Sequence, residues 1–308
     1  MNPLLATLSG KLTERWLNLL VLPGALFLAA TAVGTTLGHR HWHDVDRLRT
    51  TLDDLAARPA LDRTGTAALL VALVLLTATA ASLAAQFLGG AIERCWLRFG
   101  RDPLSRARTA RRAHRWRQRD AKLTEAIGHA HHTGTGPDGT VRIPSSALTR
   151  IQALTEARDR IALREPARPT WYGDRIQAAA DRVEAAYGVD LAVLWPRLWL
   201  ILPEPAVRQL QSAHDSFGAA ARLAAWAVGY ALLACWWWPA APAAVGCAVV
   251  ARSRARTALD ALSGLIEAAV DVHGRELATR IGLMSPEVPG RLAQDTGDDM
   301  SAVFRKAE

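Results

Sequence analysis

The chain has 308 residues, of which 50% are hydrophobic and 21% charged, and it carries a formal net charge of +8. Its length permits about two ordinary domains, but apolar and charged residues are segregated into blocks, and only one modest soluble domain remains outside the apolar blocks. Most of the positive charge follows an apolar block, where membrane topology and anionic lipid explain it, so we do not expect a nucleic-acid-binding protein.

The three cysteines, Cys95, Cys235 and Cys247, form no C-x-x-C pair. This excludes a zinc ribbon and a dithiol redox motif. None of the three lies in the segment that we place outside the cell, so no extracytoplasmic disulfide is expected.

The first apolar block, Trp16–Leu37, is long enough to be a membrane span. Its leading tryptophan suits the membrane interface, and Lys11 and Arg15 lie on the expected inner side. The block is longer than the core of a typical signal peptide, so we expect an uncleaved span. Residues 1–91 are predicted to form an N-terminal transmembrane pair with a short external loop, 38–66.

The external loop begins with three alternating histidines, His39, His41 and His43, with Asp44 and Asp46 close behind. Imidazoles and carboxylates bind divalent metals, which makes these histidines weak metal-ligand candidates. Nothing fixes a fourth ligand, so we favour a solvated loop and predict no metal. A short helix is predicted in this loop from apolar residues at helical spacing: Val45, Leu48, Leu52 and Leu55.

The second span, Ala67–Gly90, contains no ionisable residue and exceeds the roughly 20 residues that a bilayer requires. Small residues that permit close helix approach recur along it, so we expect packing against another span or another copy: Ala78, Ala81, Ser82, Ala85 and Gly89. Ten arginines follow: Arg94, Arg98, Arg101, Arg106, Arg108, Arg111, Arg112, Arg115, Arg117 and Arg119. Such a cluster is retained in the cytoplasm, which places both termini of the chain inside.

Residues 92–217 are predicted to form a helical cytoplasmic domain. It opens with a basic helix, Arg101–Leu123, and a later helix that ends near Leu163 is expected to have Ser145 or Ser146 as its cap.

The pattern is sharper from Thr170 to Ala186, which predicts a helix ended by Gly188. Asp190 is expected to cap the next helix, Leu191–Leu202, which is too short to span the bilayer. That helix is either the core of the cytoplasmic domain or half-buried at the membrane surface. Trp195 and Trp199 stand one turn apart on a single face. The candidate partner-binding residues are Trp195, Arg197 and Trp199.

Residues 218–252 are predicted to form a second transmembrane pair or a re-entrant hairpin, with the same sidedness in either case. The third span, from about Ala219 to Trp238, ends in three interfacial tryptophans before a proline turn, and the return leg is short. Residues 253–308 follow as a cytoplasmic amphipathic helix, Ala255–Ile281, and a loose tail. The candidate membrane-surface and lipid-binding residues are Arg94, Arg98, Arg101, Arg252, Arg254, Arg256, Trp236, Trp237 and Trp238.

No catalytic constellation stands out: there is no G-x-S-x-G, H-E-x-x-H, phosphate-binding loop or dinucleotide fingerprint. We therefore predict no enzyme activity, no catalytic residue and no cofactor. No span carries a mid-bilayer Asp, Glu, Lys or His, which disfavours pumps and coupled transporters. A pore built from several copies stays open, lined by small or polar residues such as Thr77, Thr79, Ser82 and Gln86.

Two stretches resemble a known family. The first runs from Tyr187-Gly188-Val189-Asp190 through Leu194-Trp195-Pro196-Arg197-Leu198-Trp199 to Leu202-Pro203, and the second is Leu265–Leu277, with Ile281-Gly282 behind it. They are similar to elements that recur, in this order and around a hydrophobic pair, in uncharacterised multi-pass membrane proteins of bacteria, especially actinobacteria. The resemblance covers roughly the C-terminal half and implies an inner-membrane protein with cytoplasmic helical parts, without an activity. Leu200 replaces the second proline of the first element.

The expected fold is all-α: an integral membrane protein with two transmembrane helix pairs and a helical cytoplasmic domain between them. The expected function is a non-enzymatic, membrane-anchored interaction or scaffold protein in the plasma membrane, which presents its basic domain to an unknown cytosolic protein. Membrane lipids and further copies of the chain, held through transmembrane helices, are its other expected partners. The alternative is an oligomeric pore-forming or membrane-perturbing effector.

Overall fold

The computed structural model describes residues 21–39, 42–57, 64–100, 102–134, 143–285, 287 and 290–305. Within these ranges all regular structure is helical and no strand is present, which confirms the predicted all-α fold. The ten helices in this part of the chain are α1 Leu22–Leu37, α2 Val45–Ala56, α3 Thr64–Leu97, α4 Pro103–Gly134, α5 Ser145–Asp159, α6 Trp171–Tyr187, α7 Leu191–Trp199, α8 Glu204–Ala234, α9 Ala240–Arg280 and α10 Gln294–Arg305.

The chain divides into two compact units. The first unit comprises Met1–Glu93 and Phe217–Ala255, and the second comprises Arg94–Ser216 and Arg256–Glu308. Each unit is therefore built from two separate stretches of sequence.

The first unit is held together by small residues that bring helices into close contact. Ala78 and Ser82 of α3 are buried, and a Cβ on Gly24 of α1 would overlap the carbonyl oxygen of Ala78. One end of the same α3 face carries Gly89, where a Cβ would lie 2.9 Å from Cγ of Arg222 on α8. The small residues of α3 thus pack as predicted, and they pack against other helices of the same chain.

In the part of the chain that the structure describes, two helices are long and apolar enough to cross a membrane, namely the stretch Gly65–Leu97 of α3 and the whole of α8. Only 11% of the most apolar part of α3 is buried, compared with 39% for α8. The described part of the first apolar block forms α1, which has 16 residues and is shorter. The beginning of that block, including Trp16, lies outside the described residues.

The second unit has its own apolar core, to which α6, α7, α8, α9 and α10 contribute. Leu194 and Leu198 of α7 are 1% and 0% exposed, and Val270 of α9 is 1% exposed. The predicted helix ends are present here: Gly188 adopts a left-handed conformation with φ +66°, and the carboxylate of Asp190 accepts a hydrogen bond from the Ala192 amide. Local sequence therefore fixes the turn that leads into α7.

Three predicted features differ in the structure. Pro144, rather than Ser145 or Ser146, precedes α5, and no side chain caps that helix. The third span was expected to begin at about Ala219, but its helix, α8, begins at Glu204, and the return leg is continuous with the later amphipathic helix in α9. No proline lies where the polar and apolar parts of α8 meet or where the apolar and amphipathic parts of α9 meet, so nothing local interrupts either helix.

The tail predicted to be loose contains α10, and that prediction was wrong for residues 294–305. Met300 is 0% exposed within the core of the second unit. Gly297 lies so close to the carbonyl oxygen of Tyr187 that a Cβ would overlap it. Docking onto the core, rather than helix propensity, stabilises this short polar segment.

Candidate partner-binding groove

Helix α7 positions the predicted tryptophan pair. Leu194 and Leu198 are buried in the core, and this places the next residues along the helix, Trp195 and Trp199, at the edge of the core. Their ring centroids are 5.9 Å apart with the planes tilted by 55°. The predicted pairing of these tryptophans on one face is confirmed, and both rings remain partly exposed.

The two tryptophans line a cavity of about 450 Å³ in the second unit. Its other walls are pairs of residues at helical spacing on α8 and α9. The lining comprises Trp195 and Trp199 from α7, Leu210, Gln211, His214 and Asp215 from α8, and Leu262 and Ile266 from α9. Aromatic and aliphatic side chains thus share this groove with an amide, an imidazole and a carboxylate, a mixture suited to binding an amphipathic ligand.

Arg197, the third predicted partner-binding residue, is not among the residues that line the groove. Its guanidinium carbon lies 4.7 Å from the ring centroid of Phe304 on α10. The same guanidinium donates hydrogen bonds to the carbonyl oxygens of Val193, at 2.7 Å, and Phe304, at 3.3 Å. The structure therefore places Arg197 in the contact between α7 and α10.

Charged side chains connect α9, which forms one wall of the groove, to α6. Arg175 donates to Asp260 at 2.5 Å, and Arg182 pairs with Glu267. The hydrogen bond to Glu267 raises the pKa of Arg182. These pairs leave no local signal in the sequence, because their members lie 85 residues apart.

A second set of contacts fixes the start of α6 to α4. Arg112 donates to the carboxylate of Asp174 at 2.5 Å and to the carbonyl oxygens of Arg168 and Ile161, each at 2.6 Å. Asp174 also accepts hydrogen bonds from the amides of Ala167, at 2.9 Å, and Arg168, at 2.7 Å. Burial raises the pKa of Asp174, while Arg112 and the two amides oppose that rise.

Comparison of the chain with protein-family models, with curated proteins and with solved structures finds no match. Function must therefore be inferred from the side chains of this molecule and their surroundings.

The predicted membrane-surface arginines have different surroundings. Arg252 and Arg254 are exposed, and Arg98 pairs with Asp102 at 3.0 Å. The guanidinium of Arg256 instead lies 4.7 Å from the ring of Trp171 and donates to the carbonyl oxygen of Arg160 at 3.1 Å. Arg256 is thus tied into the second unit. Arg94 is exposed, and Arg101 lies outside the described residues.

The predicted interfacial tryptophans cluster with the end of α1 and the loop after it. The rings of Trp238 and Trp42 meet edge-on, with their centroids 4.9 Å apart, and Trp237 packs against Gly34. Trp236 is 46% exposed, and its carbonyl oxygen contacts the ring nitrogen Nδ1 of His39. The rings of Trp42, His43 and Trp238 thus form an aromatic cluster in the first unit.

The weak metal candidates are not assembled into a site within the described residues. Nδ1 of His39 contacts the backbone carbonyl oxygen of Trp236. The rings of His43 and Trp42 meet edge-on, with their centroids 5.3 Å apart. His41 lies outside the described residues. No group of three His, Cys, Asp or Glu side chains that could hold a metal ion occurs in the part of the chain that the structure describes.

Proposed function

We propose that this chain is a membrane-anchored, non-enzymatic interaction protein whose second unit binds a cytosolic protein. The observation that carries the proposal is the exposure of α3, where Leu69, Leu76 and Phe87 are 72%, 70% and 79% exposed. An exposed apolar surface of this kind marks a membrane or protein contact, and the length of α3 favours lipid. The second unit, in contrast, has its own core and a groove that offers both apolar and polar groups.

The proposed topology has two pairs of membrane segments, the second of which is either a full pair or a re-entrant hairpin. The arginines that follow α3 stay in the cytoplasm, together with both termini, and the loop between α1 and α3 lies outside. The protein then belongs to the plasma membrane of a bacterium. Its membrane helices bind lipid and are available for self-association through faces other than the small-residue face of α3.

The groove suits a protein segment that presents an apolar side chain next to a basic one. Trp195 and Trp199 provide flat, amphipathic rings, which are frequent anchors in protein interfaces. Asp215 is exposed and has no ion-pair partner among the described residues, so it offers a carboxylate to a Lys or Arg of the partner. We therefore propose an amphipathic, basic segment of a cytosolic protein as the occupant.

Photo-cross-linking in native cells tests this proposal. A photoreactive phenylalanine analogue replaces Trp199 in the groove or, as the matched control, its neighbour Leu200, which is 81% exposed and does not line the groove. We expect a discrete protein adduct from position 199 that is absent from position 200 and is lost when Asp215→Lys is added. Identical adducts from both positions, or none from position 199, would contradict the proposal.

The alternative function, an oligomeric pore or membrane-perturbing effector, is less well supported by α3. Ser82 is 2% exposed and lies at the close approach to Gly24, and the hydroxyl of Thr77 donates to its own helix at Leu73. Ser82, one of the proposed pore-lining residues, is therefore poorly placed to line a water-filled path. Ion flux through liposomes that contain the purified protein distinguishes the two functions. Selective conductance would overturn our proposal, and its absence would exclude the alternative.

A further inference from the structure

The first half of α4 carries an unusual concentration of positive charge. From Pro103 to Arg119 the chain contains seven arginines and no acidic residue. Three of these arginines donate hydrogen bonds within the second unit. The contacts of Arg112 are described above; Arg117 donates to the carboxylate of Glu165 at 2.8 Å, and Arg119 donates to the carbonyl oxygen of Ala157 at 2.5 Å. The remaining four, Arg106, Arg108, Arg111 and Arg115, have no hydrogen-bond or ion-pair partner among the described residues.

One face of α4 is fixed against the rest of the second unit. Ala113 and Leu123 are each 5% exposed, and the indole N–H of Trp116 donates to the carbonyl oxygen of Ala162 at 2.9 Å. Together with Arg112, these contacts set the rotation of the helix about its own axis. The opposite side of α4 is therefore held outward.

The outward side carries a basic stripe, which we define as Arg108, Arg111, Arg115 and Lys122. At about 100° per residue, the four positions fall within a sector of roughly 60° that is separate from the buried face. All four side chains are exposed, and Lys122, like the three arginines, has no ionic partner among the described residues. Leu104 lies on the same sector at the start of the helix and is 78% exposed.

We propose that the basic stripe binds the phosphate groups of anionic phospholipids in the membrane that holds α3. This inference rests on the membrane anchoring proposed above. Guanidinium groups bind phosphate through paired hydrogen bonds, and a row of four cations along one helix matches a surface that presents many phosphates.

The position of the stripe in the chain favours lipid over nucleic acid. Only residues 98–102 separate α3 from α4, and five residues span at most about 18 Å when fully extended. Phe99 and Leu104, at this end of the stripe, are 71% and 78% exposed. Exposed apolar side chains beside arginines suit the boundary between headgroups and acyl chains.

Lipid titration of the intact protein, purified in neutral detergent and followed by native mass spectrometry, tests the inference. Each basic residue near an anionic surface contributes roughly fivefold to affinity. We therefore expect R108Q/R111Q/R115Q, which removes three charges, to weaken the binding of phosphatidylglycerol by about a hundredfold and to leave that of phosphatidylcholine unchanged. The matched control, R150Q/R208Q/R291Q, removes the same charge from exposed arginines elsewhere in the second unit and should bind phosphatidylglycerol as the unmodified protein does.

Further measurements separate the remaining outcomes. R108K/R111K/R115K retains the charge and should retain most of the phosphatidylglycerol affinity. Unchanged phosphatidylglycerol binding by the glutamine variant would overturn the inference, as would an equal loss in the control variant. Loss of binding to a 20-base-pair DNA duplex without loss of lipid binding would assign the stripe to nucleic acid instead. Resistance of the protein to carbonate extraction from membranes tests anchoring separately, so failure of the proposed function is distinguishable from failure of the stripe.

Discussion

Arg112 and Asp174 form the most enclosed ion pair in the described part of the chain, with side-chain exposures of 19% and 10%. Arg112 also satisfies two backbone carbonyls, and Asp174 satisfies two backbone amides. Loss of the carboxylate leaves a guanidinium and two N–H groups without their acceptor inside the protein, which is costly.

We expect Asp174→Ala to lower the opening free energy of α6 by about 3–5 kcal/mol, as measured by hydrogen exchange in the full-length protein. Asp174→Asn keeps one acceptor oxygen and should lower the opening free energy of α6 by a smaller amount. Glu204→Ala, which breaks the exposed pair between Arg208 and Glu204, should have little effect. Equal losses in all three variants would show that Asp174 has no special role.

The hydrogen bond between Tyr187 and Asp271 makes the stability of the fold depend on pH. The hydroxyl of Tyr187 donates to Asp271 at 2.7 Å, and this hydrogen bond raises the pKa of Tyr187 above its ordinary value. Because the folded-state pKa is the higher one, the stabilisation is present below the ordinary tyrosine pKa of about 10 and is lost as the pH rises through the folded value.

Absorbance titration of tyrosinate, as the difference between the unmodified protein and Tyr187→Phe, should give a pKa above the ordinary value. Asp271→Asn should bring that difference titration to lower pH, since the charged acceptor is gone. A Tyr187 pKa that is identical with and without the Asp271 carboxylate would refute the assigned cause.

At the scale of single elements, α3 has two different faces. One face carries small residues that contact α1 and α8, and the other carries large exposed side chains such as Leu76 and Phe87. Close packing of this kind depends on shape, because small residues let helix backbones approach closely.

Two glycines of the first unit make a matched test of that packing. A Cβ on Gly24 would overlap the backbone of α3, whereas a Cβ on Gly246 would meet nothing within 4 Å. We expect Gly24→Ala to lower stability by about 1–3 kcal/mol, and Gly246→Ala to be neutral or slightly stabilising. Reversible unfolding in mixed micelles measures both, and tolerance of Gly24→Ala would show that α1 and α3 are not in close contact.

The elements differ in how well sequence predicts them. Helix α6 has apolar residues at helical spacing and a glycine at its end, and it lies within one residue of its predicted bounds. Helix α10 was missed because Gln294–Arg305 contains a glycine and several acidic residues, and its stability depends on Met300 entering a core formed elsewhere. The groove was foreseen only in part: the spacing of Trp195 and Trp199 identified one wall, while the α8 and α9 walls come from distant sequence.

For the whole molecule, the central prediction is sidedness. Reporters fused at residue 130, within α4, and at residue 50, within α2, should report opposite sides of the membrane. We expect a cytoplasmic signal from the first and an external signal from the second, because the arginines after α3 resist translocation. An external signal at residue 130 would overturn the topology, the proposed cytosolic partner and the lipid stripe together.

The sequence by itself determined the helical class, the exposed apolar helix and the dense arginine segment, because hydrophobic spacing and charge clustering are local properties. Only the tertiary structure decided which arginines remain exposed. Arg112, Arg197 and Arg256 find acceptors or aromatic rings inside the second unit, whereas Arg108, Arg111 and Arg115 lie on its surface. The physical reason is distance along the chain: Arg112 finds its acceptors 49 to 62 residues away and Arg256 finds its acceptor 96 residues away, so only the packing of helices brings these groups together.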